Sequence, residues 1–298
     1  RNGGFLTSGG ALGYSTAIES FGRETARAIW RLSEDGRALA ERTIGDEGIA
    51  CDFRKPGTLS LALSADALVG MTAAAALQRE DGFRAEVLDR VSVQELIATP
   101  LADDVAGAAL APDGGLLHSG RYLAGIAAAA RRHGARFVKA TATSLTPVAD
   151  GTSIQTSAGS VRAGRVVVAV NAWSDELVPA LAGLVVPVRG QILAYEPVAP
   201  VFTTAIGTDI TPTGEYWQQT PDGAIVIGGC RAVAPHGDLG VREMVPTPDV
   251  TDAIERVIPG LFPQLDRLTV ARRWAGLMAF TADYVPVADA VPGMPGVW

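Results

Sequence analysis

Apolar and polar residues alternate with a helical period over much of the first part of the chain. From Thr16 to Thr43 the apolar residues recur at helical spacing with Arg and Glu between them, which predicts one long amphipathic helix interrupted near Gly36. Ser64 is a suitable N-cap for an Ala-rich helix from Ala65 to Gln78. A shorter helix is predicted at 92–97.

The middle of the chain changes to strands that alternate with a helix. Ser119 is the expected cap of a helix that ends at Gly134, and the following segment up to Val148 reads as a strand. The segment "TSIQTSAGSV" predicts a hairpin. The continuous apolar run from Val166 to Val170 is typical of a strand that is buried on both faces of a parallel sheet.

After Pro187 the pattern becomes that of long strands, interrupted by one helix at 248–258. The strand-like segments are "VPVRGQILAYEP", "GEYWQQTPDGAIVIGG" and "RLTVARRWAGLMAF". Long strands joined by hairpins favour an antiparallel sheet, and hence a second architecture. We therefore expect a mixed α/β and α+β fold in which the chain passes back and forth between two architectures.

Composition and charge narrow the functional classes. The chain has 298 residues, of which 48% are hydrophobic and 19% are charged, so it can bury a large core. A net charge of −7 and a pI near 5.1 argue against a nucleic-acid partner, because phosphate contacts need a concentrated basic surface. The apolar runs are shorter than the roughly 20 residues of a membrane span, and we expect no integral membrane segment.

The cysteines and histidines give no indication of a metal centre. Cys51 and Cys230 are far apart in sequence, and the three histidines, at 118, 133 and 236, are isolated from one another. We expect no metal site, and two buried thiols in a reducing cytoplasm.

Motifs for other chemistries are missing. The sequence contains no G-x-S-x-G nucleophile elbow and no G-x-x-x-x-G-K-[ST] phosphate loop. What remains is a series of glycine-rich turns at the ends of apolar strands, a pattern typical of proteins that bind a large cofactor. Taken singly, each turn is as readily an ordinary loop or helix start, and Tyr216 and Trp217 are as readily core aromatics.

The order of these segments carries more information than any one of them. "RNGGF", "GRVVVAVNAWS", "VPVRGQILAYEP", "EYWQQTPDGAIVIGG" and "RRWAGLMAFTADYVPVAD", taken in sequence, resemble the FAD-dependent amine and amino-acid oxidase family of the D-amino-acid oxidase and glycine oxidase type. The "RNGG" start is similar to the bacterial branch that includes gamma-glutamylputrescine oxidase. The resemblance covers nearly the whole chain, and its most specific element is the W-x-G followed by T-x-D-x-x-P near the end.

The resemblance implies a fold and a domain division. It implies a partial FAD-binding, Rossmann-like domain at 1–46, 105–187 and 287–298, interleaved with a substrate-binding domain at 47–104 and 188–286 built on a large antiparallel sheet. Family members begin with a βαβ unit whose G-x-G-x-x-G turn holds the FAD pyrophosphate, and no such motif occurs in these 298 residues. We therefore expect a fragment that lacks this unit and the C-terminal FAD-binding turn, so that FAD binding by these residues alone is in doubt.

The resemblance also assigns site residues. The residues implied to contact the cofactor are Arg1, Asn2, Gly3, Gly4, Thr143 (or its neighbour Ala142), Asn171, Ala172 and Trp173. The residues implied to face the flavin from the substrate domain are Gln191, Tyr216 and Trp217. Arg231, Arg272 and Arg273 are candidates to bind a substrate carboxylate, since arginine pairs with carboxylates through two hydrogen bonds.

The implied chemistry is oxidative deamination. Hydride would pass from the C–N carbon of an amine or amino acid to N5 of FAD, and water would hydrolyse the resulting imine. Ala279 and Phe280 precede Thr281 where relatives with covalent flavin carry a cysteine, so FAD is expected to be noncovalent. The strand after the Pro-Asp-Gly turn lacks the lysine with which some relatives activate oxygen, which leaves oxygen or another electron acceptor open.

Two other functions fit the same fold class. One is FAD-dependent oxidation of a 2-hydroxy acid or glycerol phosphate, which predicts a basic substrate pocket. The other is a non-catalytic, truncated flavoprotein module that serves only in binding. The first is distinguished from amine oxidation by activity screens, and the second by whether a flavin responds to an amine at all.

Overall fold

The computed structural model describes residues 3–298, so Arg1 and Asn2, both predicted cofactor contacts, lie outside the described residues. The helices are α1 (Tyr14–Phe21), α2 (Arg23–Asp46), α3 (Ala65–Glu80), α4 (Arg90–Leu96), α5 (Ser119–Arg132), α6 (Ser174–Leu177) and α7 (Pro248–Leu261). The strands are β1 (Phe5–Leu6), β2 (Thr58–Ala62), β3 (Glu86–Asp89), β4 (Gly107–Ala111), β5 (Gly115–Leu116), β6 (Ala142–Val148), β7 (Gly151–Thr156), β8 (Gly159–Ala163), β9 (Val186–Tyr195), β10 (Ala205–Thr208), β11 (Glu215–Gln219), β12 (Ile225–Gly229) and β13 (Val270–Phe280).

The chain forms two compact units. The first contains the chain up to Ala129 together with Gly190–Asp238 and Met244–Gly276. The second contains Ala130–Arg189, Leu239–Glu243 and Leu277–Trp298. Which segments bind a cofactor and which bind a substrate stays a prediction.

The predicted long N-terminal helix is two helices. The chain breaks at Gly22, which has a φ of 80°, a positive value that glycine adopts without steric cost. The Gly22 N–H donates to the carbonyl of Ile18 at 2.9 Å and closes α1. The predicted interruption near Gly36 was wrong, because Gly36 continues within α2. By contrast, α3 begins where predicted, and Ser64 Oγ accepts a hydrogen bond from the Ala67 N–H at 3.0 Å.

A buried carboxylate joins the two N-terminal helices to α3. The hydroxyl of Tyr14 donates to Asp81 Oδ2 at 2.6 Å, and Arg23 Nε donates to the same oxygen at 2.9 Å. Arg27 Nε lies 3.5 Å from the other carboxylate oxygen. These donors hold the pKa of Asp81 below its ordinary value, with the Tyr14 hydrogen bond as the largest cause.

The first unit is built on an eight-stranded sheet in the order β13-β9-β12-β11-β10-β2-β4-β3. The described pairs are antiparallel except for β10 with β2, which is parallel. The large sheet predicted after Pro187 is confirmed, but it is mixed and not purely antiparallel, because it also contains β2, β3 and β4 from the first half of the chain. The helical and sheet content confirms the expected mixed α/β and α+β class.

One face of this sheet carries the main hydrophobic core. The paired residues Ile206, Trp217, Ile227 and Leu193 are fully buried on it. α7 covers this face with buried residues such as Ile254. Truncating any of these aliphatic side chains to alanine should cost about 2–5 kcal/mol of unfolding free energy. Because side chains alternate along a strand, the intervening residues of β9, β11 and β12 point to the opposite face.

The second unit contains a three-stranded meander, β6-β7-β8, and the hairpin predicted at 152–161 is confirmed. The predicted buried strand from Val166 to Val170 was wrong. Val166 forms a single parallel bridge with Val297, and Val167 is 76% exposed. The reason is that, within the described residues, backbone pairs with this segment on one side only, at residues 296–298.

None of the helices in residues 3–298 has both the length and the apolar composition that crossing a bilayer requires.

Candidate functional site

The site begins on the open face of the eight-stranded sheet, opposite α7. Strand pairing places Tyr216 between Gly207 of β10 and Gly228 of β12. Neither glycine has a side chain, so the tyrosine ring has room to lie across the sheet. Its hydroxyl reaches over Gly228, where an added Cβ would lie 2.8 Å from the Tyr216 oxygen. The two glycines therefore set the position of this ring.

The N-terminal segment packs directly on Tyr216. An added Cβ on Gly3 would lie 2.8 Å from Cε2 of the Tyr216 ring, so only glycine fits here without displacement. Phe5 contacts the same ring edge to face, with ring centroids 5.7 Å apart. The structure thus brings a predicted cofactor residue, Gly3, onto a predicted substrate-side residue, Tyr216.

Gln218 and Leu117 fix the backbone of Gly3 and Gly4. The Gln218 carboxamide donates to the Gly3 carbonyl, and the Leu117 N–H donates to the Gly4 carbonyl at 2.8 Å. Gly4 has a φ of 77°, and an added Cβ would lie 2.1 Å from the Leu117 carbonyl oxygen. Sequence reasoning placed glycine here for close approach to a ligand. In the structure both glycines are also required by protein contacts.

Burial governs the chemistry of the Tyr216 hydroxyl. Desolvation raises the pKa of Tyr216 above its ordinary value of 10.0. The hydroxyl therefore stays protonated near neutral pH and can act as a hydrogen-bond donor but not as a base. Among residues 3–298 it has no hydrogen-bond partner, so its proton is free to bind a ligand.

Gln191 lies on the face opposite to Tyr216. Its Nε2 donates to Asp238 Oδ2 and to Thr247 Oγ1, both at 3.0 Å. Its Oε1 accepts a hydrogen bond from the Thr247 N–H at 2.7 Å. Because Thr247 is the N-cap residue of α7, this amide ties β9 to the start of that helix. Both ends of the Gln191 side chain are therefore occupied by protein groups.

Trp217 is completely buried in the core on the same face as Gln191. Its ring makes edge-to-face contacts with Phe202 and Phe262, with centroid distances of 6.1 and 5.8 Å. Its indole Nε1 has no hydrogen-bond partner among the described residues. Of the three residues expected to face the flavin, the structure brings only Tyr216 to the open face.

The remaining cofactor candidates lie in the second unit. Thr143 sits at a bulge of β6, is exposed, and donates from Oγ1 to the Gln155 carbonyl at 3.4 Å. Asn171 has a φ of 53°, and its amide donates to the Leu277 carbonyl at 3.1 Å. These contacts of Thr143 and Asn171 are with residues of the second unit.

Ala172 and Trp173 follow Asn171 in a short 3₁₀ turn. Ala172 is fully buried, and its carbonyl accepts a hydrogen bond from Arg242 Nη1 at 2.7 Å. Arg242 also pairs with Asp175 at 3.0 Å, so the turn is held by an ion pair. Trp173 is 38% exposed, which leaves part of its indole available for contact.

The three arginine candidates have different surroundings. Arg273 pairs with Glu255, and Arg231 donates to the Gly237 carbonyl at 3.2 Å. Arg272 lines a cavity of the first unit, and its side chain has no ion pair or hydrogen bond among residues 3–298. Arg54 lines the same cavity and was missed by sequence reasoning. No motif in the sequence around Arg54 marks it as a ligand-binding residue.

The whole chain matches a known protein family. The family model described as DAO, FAD dependent oxidoreductase, matches residues 1–298. The gamma-glutamylputrescine oxidoreductase of Escherichia coli strain K12 is 27% identical, over 96% of this chain and 66% of that protein. A glycine oxidase of Pseudomonas aeruginosa is 30% identical, over 49% of this chain and 38% of that protein. The chain thus spans less than two thirds of the length of these relatives.

A solved structure gives the same fold. The glycine oxidase of Geobacillus kaustophilus superposes with a TM-score of 0.79 at 20% identity, over 99% of this chain and 76% of that one. At this identity the likeness shows the fold, and it agrees with the family match over the full chain. This chain belongs to the DAO family of FAD-dependent oxidoreductases.

Proposed function

We propose that the chain is part of a flavin-dependent oxidoreductase that oxidises the C–N bond of an amine or amino acid. Bound FAD would accept the hydride from the C–N carbon at its N5 atom, and water would hydrolyse the resulting imine to a carbonyl compound. The family match supports this proposal, as do the names of similar proteins, which act on glycine and gamma-glutamylputrescine. The observation that carries it is the packing of Gly3 on Tyr216 at the open sheet face.

The residues on the open face fit a flat ring system. Gly207 leaves the sheet surface low on one side of Tyr216, whose own ring covers Gly228 on the other side, and Gly3 and Gly4 bring backbone without side chains to the same place. Peptide groups without side chains allow the close approach that a cofactor ring needs. The pyrophosphate-binding G-x-G-x-x-G turn is not among these residues, so the fit concerns the ring side of the cofactor.

We assign the following residues to noncovalent FAD as a proposal: Arg1, Asn2, Gly3, Gly4, Thr143, Asn171, Ala172 and Trp173. In the first unit the hydrogen bonds from Gln218 and Leu117 would hold the glycine backbone against the cofactor. In the second unit the Arg242–Asp175 pair would hold the turn at Asn171.

Tyr216 is the proposed substrate-contacting residue. Its protonated hydroxyl can donate to a substrate oxygen or to the lone pair of a neutral amine, and so orient the C–N carbon for hydride removal. It cannot take the proton from an ammonium group near neutral pH, because burial raises its pKa. The substrate amine would therefore lose its proton to solvent before oxidation.

Gln191 and Trp217 would act as positioning residues. Gln191 fixes β9 to the start of α7, and Trp217 fills the core directly beneath the open face. Either side chain can change the position of Tyr216 only through the strands that they share or neighbour. Their replacement should therefore alter stability along with activity.

The finer partner assignments are also part of the proposal. We propose a small-molecule amine or amino-acid substrate, oxygen or another electron acceptor, no nucleic-acid partner, and a cytoplasmic location. Cys51 and Cys230 are both unpaired and buried, which agrees with a reducing compartment. Val226 of β12 lies on the open face in the strand where some relatives carry a lysine, so the electron acceptor is left open.

The test is a substrate screen on the FAD-loaded protein under anaerobic conditions. We expect the flavin absorption band to bleach with a member of a panel of primary amines, secondary amines and amino acids. Bleaching by 2-hydroxy acids or glycerol phosphate alone would show that the protein oxidises a hydroxyl group and not an amine. A protein that binds FAD but is bleached by no compound of either panel would support the binding module instead.

A further inference from the structure

The first unit contains a cavity of about 620 Å³ that adjoins the Tyr216 site, because Gln218 and Leu117, which hold the Gly3 and Gly4 backbone, also line it. It lies on the open side of the sheet, beyond Gln218, where β9, the turn between β11 and β12, and the start of β13 meet the first turn of α5. Its charged and aromatic lining includes Arg54, Arg121, Arg272, His118 and Trp274. The volume suits an organic molecule rather than a single ion or water.

Arg54 is the unusual group in this cavity. Its guanidinium is half-buried, yet no carboxylate among residues 3–298 lies within ion-pair distance of it. It donates from Nη2 to two neutral acceptors, the Gln219 carbonyl at 2.5 Å and Gln218 Oε1 at 3.4 Å. A half-buried charge without an ion-pair partner is costly, and burial lowers the pKa of Arg54 more than the charge of Asp52 raises it.

The neighbouring charges compensate Arg54 only in part, because Asp52 raises its pKa through its charge but burial is the larger effect. Asp52 is the nearest acid in sequence, but both of its oxygens bind Arg121 Nη1, at 2.8 and 2.6 Å. Asp222 and Glu196 also line the cavity, but both are exposed. Asp222 already accepts a hydrogen bond from Thr220 Oγ1 at 2.5 Å. Exposed carboxylates are solvated by water and need no partner, whereas Arg54 does.

Two further features favour an anion at this place. Arg272 is exposed at the cavity, and its side chain has no ion pair or hydrogen bond within the described part of the chain. The first turn of α5 also lines the cavity, with His118 Nδ1 accepting the Arg121 N–H at 3.2 Å. A helix N-terminus adds positive potential to that of the two arginines. Trp274 offers an apolar surface beside these charges.

We propose that this cavity is a second binding site, adjoining the site at Tyr216, for an organic anion whose phosphate or carboxylate group pairs with Arg54 and Arg272. The anionic group satisfies the half-buried guanidinium of Arg54, and the body of the ligand lies against Trp274. The inference does not depend on the proposed oxidation, since every residue that carries it belongs to this cavity.

Isothermal titration at constant ionic strength tests the site, with inorganic phosphate and succinate as probes. We expect saturable binding of at least one probe. Phosphate alone would indicate a phosphorylated ligand, and succinate alone a carboxylate ligand. Arg272→Gln should weaken binding about tenfold, because it removes a charge-assisted hydrogen bond. Arg273→Gln is the matched control, because Arg273 is the next residue and pairs with Glu255 instead.

A second readout guards against loss of folding. The melting temperatures of wild type and of Arg54→Gln are each measured with and without the probe. The probe should raise the melting temperature of wild type and leave that of Arg54→Gln unchanged. The proposal is overturned if neither probe binds saturably to the wild-type chain. It is equally overturned if Arg272→Gln and Arg273→Gln change binding by the same factor, or if Arg54→Gln keeps the full probe-induced rise.

Discussion

Gly3 lies against the ring of Tyr216 so closely that a Cβ atom on the glycine would be 2.8 Å from Cε2. One residue comes from the start of the chain and the other from the middle of the large sheet. The contact joins the segment predicted to lie along a cofactor to the face predicted to bind substrate. The effect of this arrangement on stability can be measured without knowing the substrate.

Gly4→Ala should destabilise the protein through both conformation and space. A positive φ costs an L-residue about 1–2 kcal/mol, and overpacking against the Leu117 carbonyl should add about 1–3 kcal/mol. Gly183→Ala is the matched control, because Gly183 has the same φ of 77° but open space around it. Urea unfolding of both variants gives the comparison. Equal losses would show that the Gly4 backbone is free to move away from Leu117.

Tyr216→Phe should separate activity from stability. The hydroxyl has no partner within residues 3–298, so its removal should change the free energy of unfolding by less than about 0.5 kcal/mol. In the FAD-loaded protein, kcat/KM for amine oxidation should fall about tenfold or more, because a hydrogen bond to the substrate is lost.

The pH dependence of the Tyr216→Phe variant provides a second check. Burial raises the pKa of Tyr216 above 10.0, so the hydroxyl does not ionise at lower pH. The shape of the pH–rate profile below pH 10 should therefore be the same in wild type and variant. Tyr284→Phe, at a 42% exposed tyrosine of the second unit, serves as the control. An unchanged kcat/KM in Tyr216→Phe would remove Tyr216 from the proposed site.

Local sequence patterns predicted helices and strands better than they predicted how those elements pair and pack. The helix that begins after Ser64 could be predicted because its cap and its end are set by neighbouring residues. The strand expected at Val166–Val170 could not, because burial on two faces depends on pairing with distant segments. Gly22 takes a positive φ and ends α1, whereas Gly36 continues within α2, and Tyr14 of α1 packs edge to face on Trp30 of α2.

The candidate site shows the same limit. The resemblance predicted that Gly3, Tyr216 and Trp217 share one site, but adjacent strand residues point to opposite faces, so Tyr216 and Trp217 are separated by the sheet. Because side chains alternate between the two faces of a strand, the adjacent positions of Tyr216 and Trp217 already indicated that they lie on opposite faces. Arg54 and Arg272 meet at one cavity only because distant strands and α5 converge there, which no local pattern reveals.

Asp81→Asn should lower the melting temperature at neutral pH. The difference in melting temperature between this variant and wild type should become smaller as the pH falls. The folded chain holds the pKa of Asp81 below its ordinary value, chiefly through the Tyr14 hydroxyl. Its stabilising effect is therefore complete above the unfolded pKa of about 4 and is lost as the pH falls through the folded value. Thermal melts between pH 7 and pH 3 should show the two curves converging.

Glu80→Gln is the control for the Asp81 variant. Glu80 is the preceding residue, pairs with the same Arg23 at 2.8 Å, and is 60% exposed at its side chain. An exposed ion pair contributes little, so this variant should melt close to wild type at each pH. If Glu80→Gln and Asp81→Asn lower the melting temperature equally, the Tyr14 hydrogen bond does not stabilise the junction of α1 and α3.

Gln191→Leu should cost about 2 kcal/mol of unfolding free energy. The leucine removes the acceptor of the Thr247 N–H and the donor to Asp238 Oδ2, and the polar groups that lose this partner lie in a buried or partly buried place. Gln264→Leu, at an exposed glutamine, controls for the general effect of the exchange. Because Gln191 ties β9 to α7, the loss should also raise hydrogen exchange in the first turn of that helix. A Gln191→Leu protein as stable as Gln264→Leu, with unchanged exchange at 248–251, would mean that α7 starts correctly without this amide.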